Sequence, residues 1–148
     1  MSKYERAFSI LLGFVLVAYL NGCSNQTGLS RIPSEVEATV ASIGDDITQE
    51  RYEKIYNESS SLWRQDATEQ RSTETLKTLR AKLGTVENRT VHSATEQQNA
   101  SGPLKGHVFV ITYQTKFERG QAMETFTLIE EGGGWRLARY LVSSTELK

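Results

Sequence analysis

Four titratable side chains in the second half of the sequence are candidates for acid–base chemistry: Glu124, His92, His107 and Tyr113. A general acid or base must lie in a pocket that shifts its pKa toward the working pH, so the surroundings of each group decide its role. His92 lies in a polar stretch and His107 at the start of a predicted strand, where exposed histidines are ordinary. Neither histidine is assigned a catalytic role.

Glu124 is the most informative of the four, because it shares strand parity with Phe126 and Leu128. Residues two apart in a strand point to the same face, so Glu124 is predicted on the concave, apolar side of a sheet. A buried carboxylate is destabilising unless it is paired, and we expect Arg136 or Arg139 to supply the positive charge. The pattern predicts a structural ion pair, and no catalytic residue is assigned.

The same strands provide a candidate ligand face, made of Tyr113, Glu124 and Arg136. An alternative interpretation is an enzyme in which Glu124 is the base and Tyr113 donates a hydrogen bond to an oxyanion. It requires both side chains to lie within hydrogen-bond reach of one substrate atom. Trp135 and Tyr140 are interpreted as core and edge of the sheet, because aromatic residues favour half-buried strand positions.

Composition excludes several kinds of partner and site. The formal net charge is −1 and no basic run occurs, which argues against nucleic acid as a partner. The single cysteine, Cys23, cannot form an internal disulfide, and two separated histidines do not give zinc-ligand spacing. The glycines at 132–134 lie in a predicted hairpin, without the strand-to-helix context of a phosphate-binding loop. We expect no metal and no cofactor.

The first 22 residues have the order of a secretory signal peptide. Lys3 and Arg6 precede an apolar run over residues 7–20. Fourteen residues are the length of a signal's apolar region and fall short of the roughly 20 that a membrane-spanning helix needs. The pattern predicts export from the cytoplasm.

The residues that follow, Leu20, Asn21, Gly22 and Cys23, resemble the lipobox of bacterial lipoproteins. The resemblance implies cleavage between Gly22 and Cys23 and a diacylglycerol on the Cys23 thiol, so that membrane lipid becomes the partner of the mature chain. Asn21 departs from the small residues usual at its position. Ser24 lacks the aspartate that resembles an inner-membrane retention signal, which favours the outer over the inner membrane of a bacterial envelope. The alternatives are an ordinary signal with a chance cysteine, and an uncleaved anchor.

Behind the lipidated cysteine, residues 23–33 are predicted to be a polar, flexible tether, and residues 34–148 a single domain. Its first half predicts three helices. The first starts at a capping box of Ser34 and Glu37 and ends at Gly44. The second follows Asp45 and runs to about residue 63, and the third runs from residue 72 or 73 to a C-terminal cap at Gly84.

From Val86 the apolar period changes from helical to two, which predicts strands over residues 86–98, 107–117, 122–129 and 135–142. A turn at residues 119–121 and the glycines at 132–134 join the last three strands. Helices ahead of an antiparallel meander give an α+β class, with the helices packed on one face of a curved sheet. Because Val108 and Val110 make both faces of the second strand apolar, the sequence leaves open which face the helices cover.

Three runs in these strands resemble the end of a family of small exported bacterial proteins known as domain of unknown function 4019. They are Phe109-Val-Ile-Thr-Tyr113, Glu124-Thr-Phe-Thr-Leu128 and Gly134-Trp-Arg-Leu-Ala-Arg-Tyr140. The helix-then-sheet layout also resembles the nuclear-transport-factor-2-like, or ketosteroid-isomerase-like, superfamily. The first resemblance implies a fold and an exported location without a reaction, and fold alone does not determine function.

These features predict a non-enzymatic lipoprotein of the bacterial cell envelope. Its domain faces the periplasm or the exterior and binds an envelope protein or a small apolar ligand through the concave face of the sheet. Two other classes stay open. One is the ketosteroid-isomerase-like enzyme described above, which needs a deep pocket, and the other is a structural spacer, which predicts no pocket.

Overall fold

The computed structural model describes residues 31–148. The predicted signal peptide, the lipobox cysteine and most of the tether lie outside the described residues. The elements, in chain order, are α1 (Ser34–Thr48), α2 (Tyr52–Glu58), α3 (Ser61–Asp66), α4 (Glu69–Leu83), β1 (Val86–Asn99), β2 (Gly106–Phe117), β3 (Gly120–Glu131) and β4 (Gly134–Ser143). A short 3-10 helix, Thr145–Leu147, follows β4. The α+β class and the four-stranded meander are confirmed.

Helix α1 buries one apolar stripe and is longer than predicted. Val36, Val40, Ile43 and Ile47 recur at helical spacing and are buried against the sheet. The predicted stop at Gly44 was wrong, because the helix continues to Thr48.

The predicted capping box at the start of α1 also does not form. Pro33 is the N-cap residue, no side chain caps the helix, and the backbone N–H of Glu37 donates to the Pro33 carbonyl at 3.0 Å. Ser34 lies one residue inside the helix, where its side chain cannot reach the first free amides as an N-cap residue does.

The predicted second helix is two helices, so the domain has four rather than three. Ser59 and Ser60 are buried and extended, which separates α2 from α3. The Ser60 backbone N–H donates to the Leu137 carbonyl of β4 at 2.9 Å, and the Ser60 hydroxyl accepts from the Trp63 N–H. The Ser60 N–H therefore bonds to the sheet instead of to a carbonyl of α2, and the Ser60 hydroxyl caps the N-terminus of α3.

Helix α4 begins earlier than predicted, because Thr68 rather than a residue at 72 or 73 provides the cap. Its hydroxyl accepts from the Arg71 N–H at 3.2 Å. The predicted C-terminal cap is confirmed, since Gly84 has a φ of +80°, a conformation that favours glycine.

The sheet is antiparallel with the strands in sequence order, β1-β2-β3-β4. Phe117 pairs with Gly120, so the turn between β2 and β3 is Glu118–Arg119, one residue before the predicted position. Irregular register interrupts β1 between Val91 and Ser93 and the β3–β4 pairing between Thr127 and Leu128. Such bulges bend a strand and increase its twist.

The core lies between the helices and the face of the sheet that carries Phe109 and Phe126. Both rings and their neighbours Ile111 and Leu128 are fully buried against α1, α2 and α4. The helices therefore cover the face predicted to be concave. Within residues 31–148, no helix is long and apolar enough to cross a membrane.

Candidate functional site

Glu124 lies at the centre of the helix-covered face and is 0% exposed. Its carboxylate accepts four hydrogen bonds. Arg89 donates to both oxygens, from Nε to Oε2 at 2.7 Å and from Nη2 to Oε1 at 3.1 Å. The Thr115 hydroxyl donates to Oε2 and the Tyr140 hydroxyl to Oε1, each at 2.5 Å. We call Arg89, Thr115, Glu124 and Tyr140 the Glu124 network.

Each strand of the meander contributes one member of the Glu124 network. Arg89 on β1 pairs with Thr115 on β2, and Tyr140 on β4 pairs with Phe126, two residues from Glu124 on β3. The Arg89 guanidinium also lies 5.7 Å from the centre of the Phe126 ring, a cation–π distance. The network forms only when all four strands are in register.

Helix α1 approaches the Glu124 network closely at Gly44. A Cβ built on Gly44 would lie 2.6 Å from Arg89 Nη1. The glycine that sequence analysis assigned to a helix stop therefore admits the guanidinium beneath the helix.

The surroundings keep the donors of this network protonated. Burial alone would lower the pKa of Arg89, but its hydrogen bonds to Glu124 and the carboxylate charge outweigh that effect and raise it. Burial, the Glu124 charge and the hydrogen bond to Glu124 together hold the pKa of Tyr140 well above its usual value of 10. Arg89 is charged and Tyr140 neutral at every pH at which the domain would work.

The Glu124 network is built to hold a carboxylate rather than to transfer protons. A carboxylate has about four lone-pair positions, and the four donors of the network match that number. A substrate could contact Glu124 only after displacing one of these donors. The arrangement is therefore that of a satisfied buried ion pair.

The ion pair predicted at Glu124 forms, but the predicted partners, Arg136 and Arg139, are wrong. In the β3–β4 register, Arg139 lies opposite Thr127 and Arg136 lies opposite Ile129. Both of these β3 residues point away from the face that carries Glu124. The actual partner, Arg89, lies on the polar strand β1, whose alternation gives no sign of which side faces the core. Arg89 lies opposite Thr115 in the β1–β2 register, so Arg89 could have been predicted as the partner of Glu124 only if that register had been known.

The structure brings two of the three candidate ligand-face residues together and places the third elsewhere. Tyr113 pairs with Glu124, and its ring packs edge-on against Phe126 at 5.9 Å. Burial raises the pKa of Tyr113 above 10. Arg136 instead reaches around the β4 edge, where Nη1 donates to the Glu58 carbonyl at 3.0 Å.

Arg136 lines a cavity of about 320 Å³ between α1, α2 and the start of β4. Its apolar wall includes Ile43, Ile55, Trp135 and Leu137. Its polar wall is formed by Thr39, Ser42, Asp46, Glu58, Ser59 and Arg136. We call this space the α1–β4 cavity; its volume lies at the lower end of the range for small-molecule sites.

Asp46, one of the residues that line the α1–β4 cavity, is almost fully buried and doubly paired. Arg51 lies 2.5 Å from one carboxylate oxygen and Lys54 2.8 Å from the other. Burial alone would raise the pKa of Asp46, but the bonds from Lys54 and Arg51 outweigh it, so the pKa is lowered. The carboxylate therefore stays ionised, and its negative charge is compensated by Arg51 and Lys54.

His107 joins two carboxylates beside the same cavity. Its Nδ1 lies 2.9 Å from Glu130 and its Nε2 2.6 Å from Glu96. The two hydrogen bonds, with Glu130 first and Glu96 second, raise the pKa of His107 above 6.5. Its ring packs on Trp135 at 4.7 Å, so His107 couples three strands to one wall of the cavity.

The other histidine, His92, is exposed in the β1 bulge between Val91 and Ser93. Across residues 31–148, no group of three histidine, cysteine, aspartate or glutamate side chains is arranged to hold a metal ion. The carboxylates on either side of His107 contact opposite nitrogens of the ring, so they do not converge on one point.

A family model described as a protein of unknown function (DUF4019) matches residues 41–140 of the chain, from the middle of α1 to Tyr140. The match includes all four members of the Glu124 network. Among curated proteins, none matches the chain.

Proposed function

The chain belongs to the DUF4019 family, and we propose that it is a lipid-anchored protein of the bacterial envelope whose domain binds a ligand without catalysing a reaction. The observation that carries the anchor is the sequence Leu20-Asn-Gly-Cys23 at the end of a 14-residue apolar run over residues 7–20. A sole cysteine at that position is explained by acylation. Two or three acyl chains give stable membrane attachment, whereas one gives only marginal binding.

The start of the domain fits an anchor of this kind. Ile32, inside the predicted tether of residues 23–33, already packs against the core cluster, so the packed domain begins before the tether was predicted to end. Nine residues beyond Cys23, at up to about 3.6 Å per residue, span at most roughly 32 Å. The domain would therefore begin within that distance of the membrane surface. The outer membrane is favoured over the inner because Ser24 follows Cys23 in place of an aspartate.

The four hydrogen bonds that the Glu124 carboxylate accepts support a binding role over catalysis. In the ketosteroid-isomerase-like alternative, Glu124 is the base and Tyr113 the oxyanion donor. The four donors on the carboxylate oppose this alternative, because proton abstraction needs a free oxygen within hydrogen-bond reach of the substrate.

The α1–β4 cavity supports a binding domain over a structural spacer. A spacer needs no recognition site, whereas this cavity of about 320 Å³ brings Trp135, Leu137 and Arg136 to one surface. The cavity combines an apolar wall with a few convergent polar groups, which is the usual composition of small-molecule sites.

Intact mass spectrometry of the membrane fraction tests the anchor. The full chain would be expressed in a bacterium beside Cys23→Ala, and we expect a mature mass that begins at Cys23 and carries acyl chains only for the unchanged protein. An unacylated product cut at another bond, or an uncleaved chain in the membrane, would refute the proposal.

The enzyme alternative has its own test. A base of this type exchanges protons next to a carbonyl, so deuterium incorporation into a simple ketone in heavy water would be followed by NMR. Exchange that the full chain accelerates and Glu124→Gln abolishes would overturn the non-enzymatic assignment. No acceleration over a buffer blank is expected.

A further inference from the structure

We propose that the α1–β4 cavity binds a small organic anion, with a carboxylate on Arg136 and an apolar or aromatic body against Trp135. This inference rests on the proposed binding function and specifies its ligand class. The chemistry recognised is a single negative charge on a compact apolar group, in a volume of about 320 Å³.

Arg136 is the cation available to a ligand in this cavity. Among residues 31–148 no carboxylate lies within ion-pair distance of its guanidinium, and its one hydrogen bond is from Nη1 to the Glu58 carbonyl. A guanidinium has five N–H donors, so most of them remain for a ligand. Its planar fork matches the two oxygens of a carboxylate.

The acidic residues of the cavity do not repel such a ligand, because both are already neutralised. Asp46 is held by Arg51 and Lys54, and Lys54 also contacts Glu58 at 2.8 Å. Arg51 and Lys54 lie outside the cavity lining and compensate these two carboxylates. Among the described residues, Arg136 is therefore the lining cation that has no carboxylate partner.

The apolar wall restricts the rest of the ligand. Trp135 packs against Phe109, whose ring lies at a centroid distance of 6.2 Å in a T-shaped arrangement, and against His107 at 4.7 Å. Ile43, Ile55 and Leu137 extend the wall toward the core. A ring or a short alkyl chain attached to the carboxylate would be desolvated on this surface.

The test compares an anion with its neutral isostere. The full chain in lipid nanodiscs would be titrated calorimetrically with benzoate and with benzamide, with empty nanodiscs as the blank. We expect benzoate to bind at least about tenfold more tightly than benzamide, since a hydrogen bond to a charged group discriminates by that amount or more.

Two variants assign the preference to Arg136. In Arg136→Gln benzoate affinity should fall about tenfold to the level of benzamide, and in Arg136→Lys it should fall less. Arg139→Gln is the matched control, because Arg139 is an exposed arginine of the same strand that does not line the cavity. It should leave benzoate binding unchanged, and the melting temperature of each variant would verify that it is folded.

The outcomes separate this inference from the proposed function. Equal binding of benzoate and benzamide, or benzoate binding that survives Arg136→Gln, overturns the anion assignment and leaves a ligand-binding domain. If neither benzoate nor benzamide binds, the inference is overturned and the cavity no longer supports a binding role. The mass of the acylated chain tests the anchor separately.

Discussion

Removing Arg89 while Glu124 stays in place would test the interpretation of the Glu124 network as a buried ion pair. The carboxylate is 0% exposed, so Arg89→Met leaves a buried charge without its counter-ion. Breaking a buried pair in this way costs about 3–5 kcal/mol. Hydrogen bonds from Thr115 and Tyr140 remain on the carboxylate, so we expect the lower end, about 3 kcal/mol.

An exposed ion pair of the same sheet is the matched control. Lys116 and Glu87 lie 2.7 Å apart with side-chain exposures of 63% and 45%. Because solvent screens such a pair, Lys116→Met should cost less than about 1 kcal/mol. The two substitutions remove one cation each from the β1–β2 pairing, so burial is the main difference between them.

The measurement is equilibrium unfolding in urea at pH 7, followed by circular dichroism. A loss of about 3 kcal/mol would lower the midpoint markedly, because small domains have only about 5–15 kcal/mol of stability. Arg89→Met/Glu124→Gln should be more stable than Arg89→Met alone, since it leaves no buried charge. The amide that replaces the carboxylate can accept from one of the two hydroxyls and donate to the other. An Arg89→Met cost no larger than that of Lys116→Met, or a double variant no more stable than Arg89→Met, would refute the reasoning.

Two further predictions concern His107 and Gly44. The folded-state pKa of His107 is raised above 6.5, so its contribution to stability is full below pH 6.5 and is lost as the pH rises through the folded pKa. The stability lost in His107→Gln, measured by urea unfolding between roughly pH 5.5 and 9, should therefore shrink with rising pH. A pH-independent loss at position 107 would contradict the assignment. Gly44→Ala gains about 1 kcal/mol of helix propensity but places Cβ 2.6 Å from Arg89 Nη1. We expect it to destabilise the protein and to stabilise the Arg89→Met variant, and a stabilising effect in both backgrounds would show that the guanidinium moves aside freely.

The meander was predictable because its signals are local. Alternation in β2 to β4 and glycines in the turns determine which residues face inward, so the burial of Glu124 beside Phe126 followed from the sequence alone. The inward-facing residues of a strand can be predicted from this alternation without information on distant contacts.

The missed features depend on contacts between distant elements. Ser59 and Ser60 interrupt a continuous apolar stripe because the Leu137 carbonyl, more than seventy residues away, takes the Ser60 N–H. Gly44 admits a side chain from β1, and Arg89 is recognisable as a partner only from the β1–β2 register. The α1–β4 cavity likewise depends on how far α2 stands from β4, which no local pattern reports.

The hydrogen bond from Ser60 to Leu137 has a consequence for self-association. A strand at the border of a sheet offers unpaired amides and carbonyls to a strand of another molecule. On the β4 side the α2–α3 junction occupies part of this border. On the other side β1 is 14 residues long, but it carries charges at Glu87, Arg89 and Glu96 and is bent by its bulge. Charges and bulges both discourage pairing between molecules, so the two borders of the sheet resist polymerisation by different means.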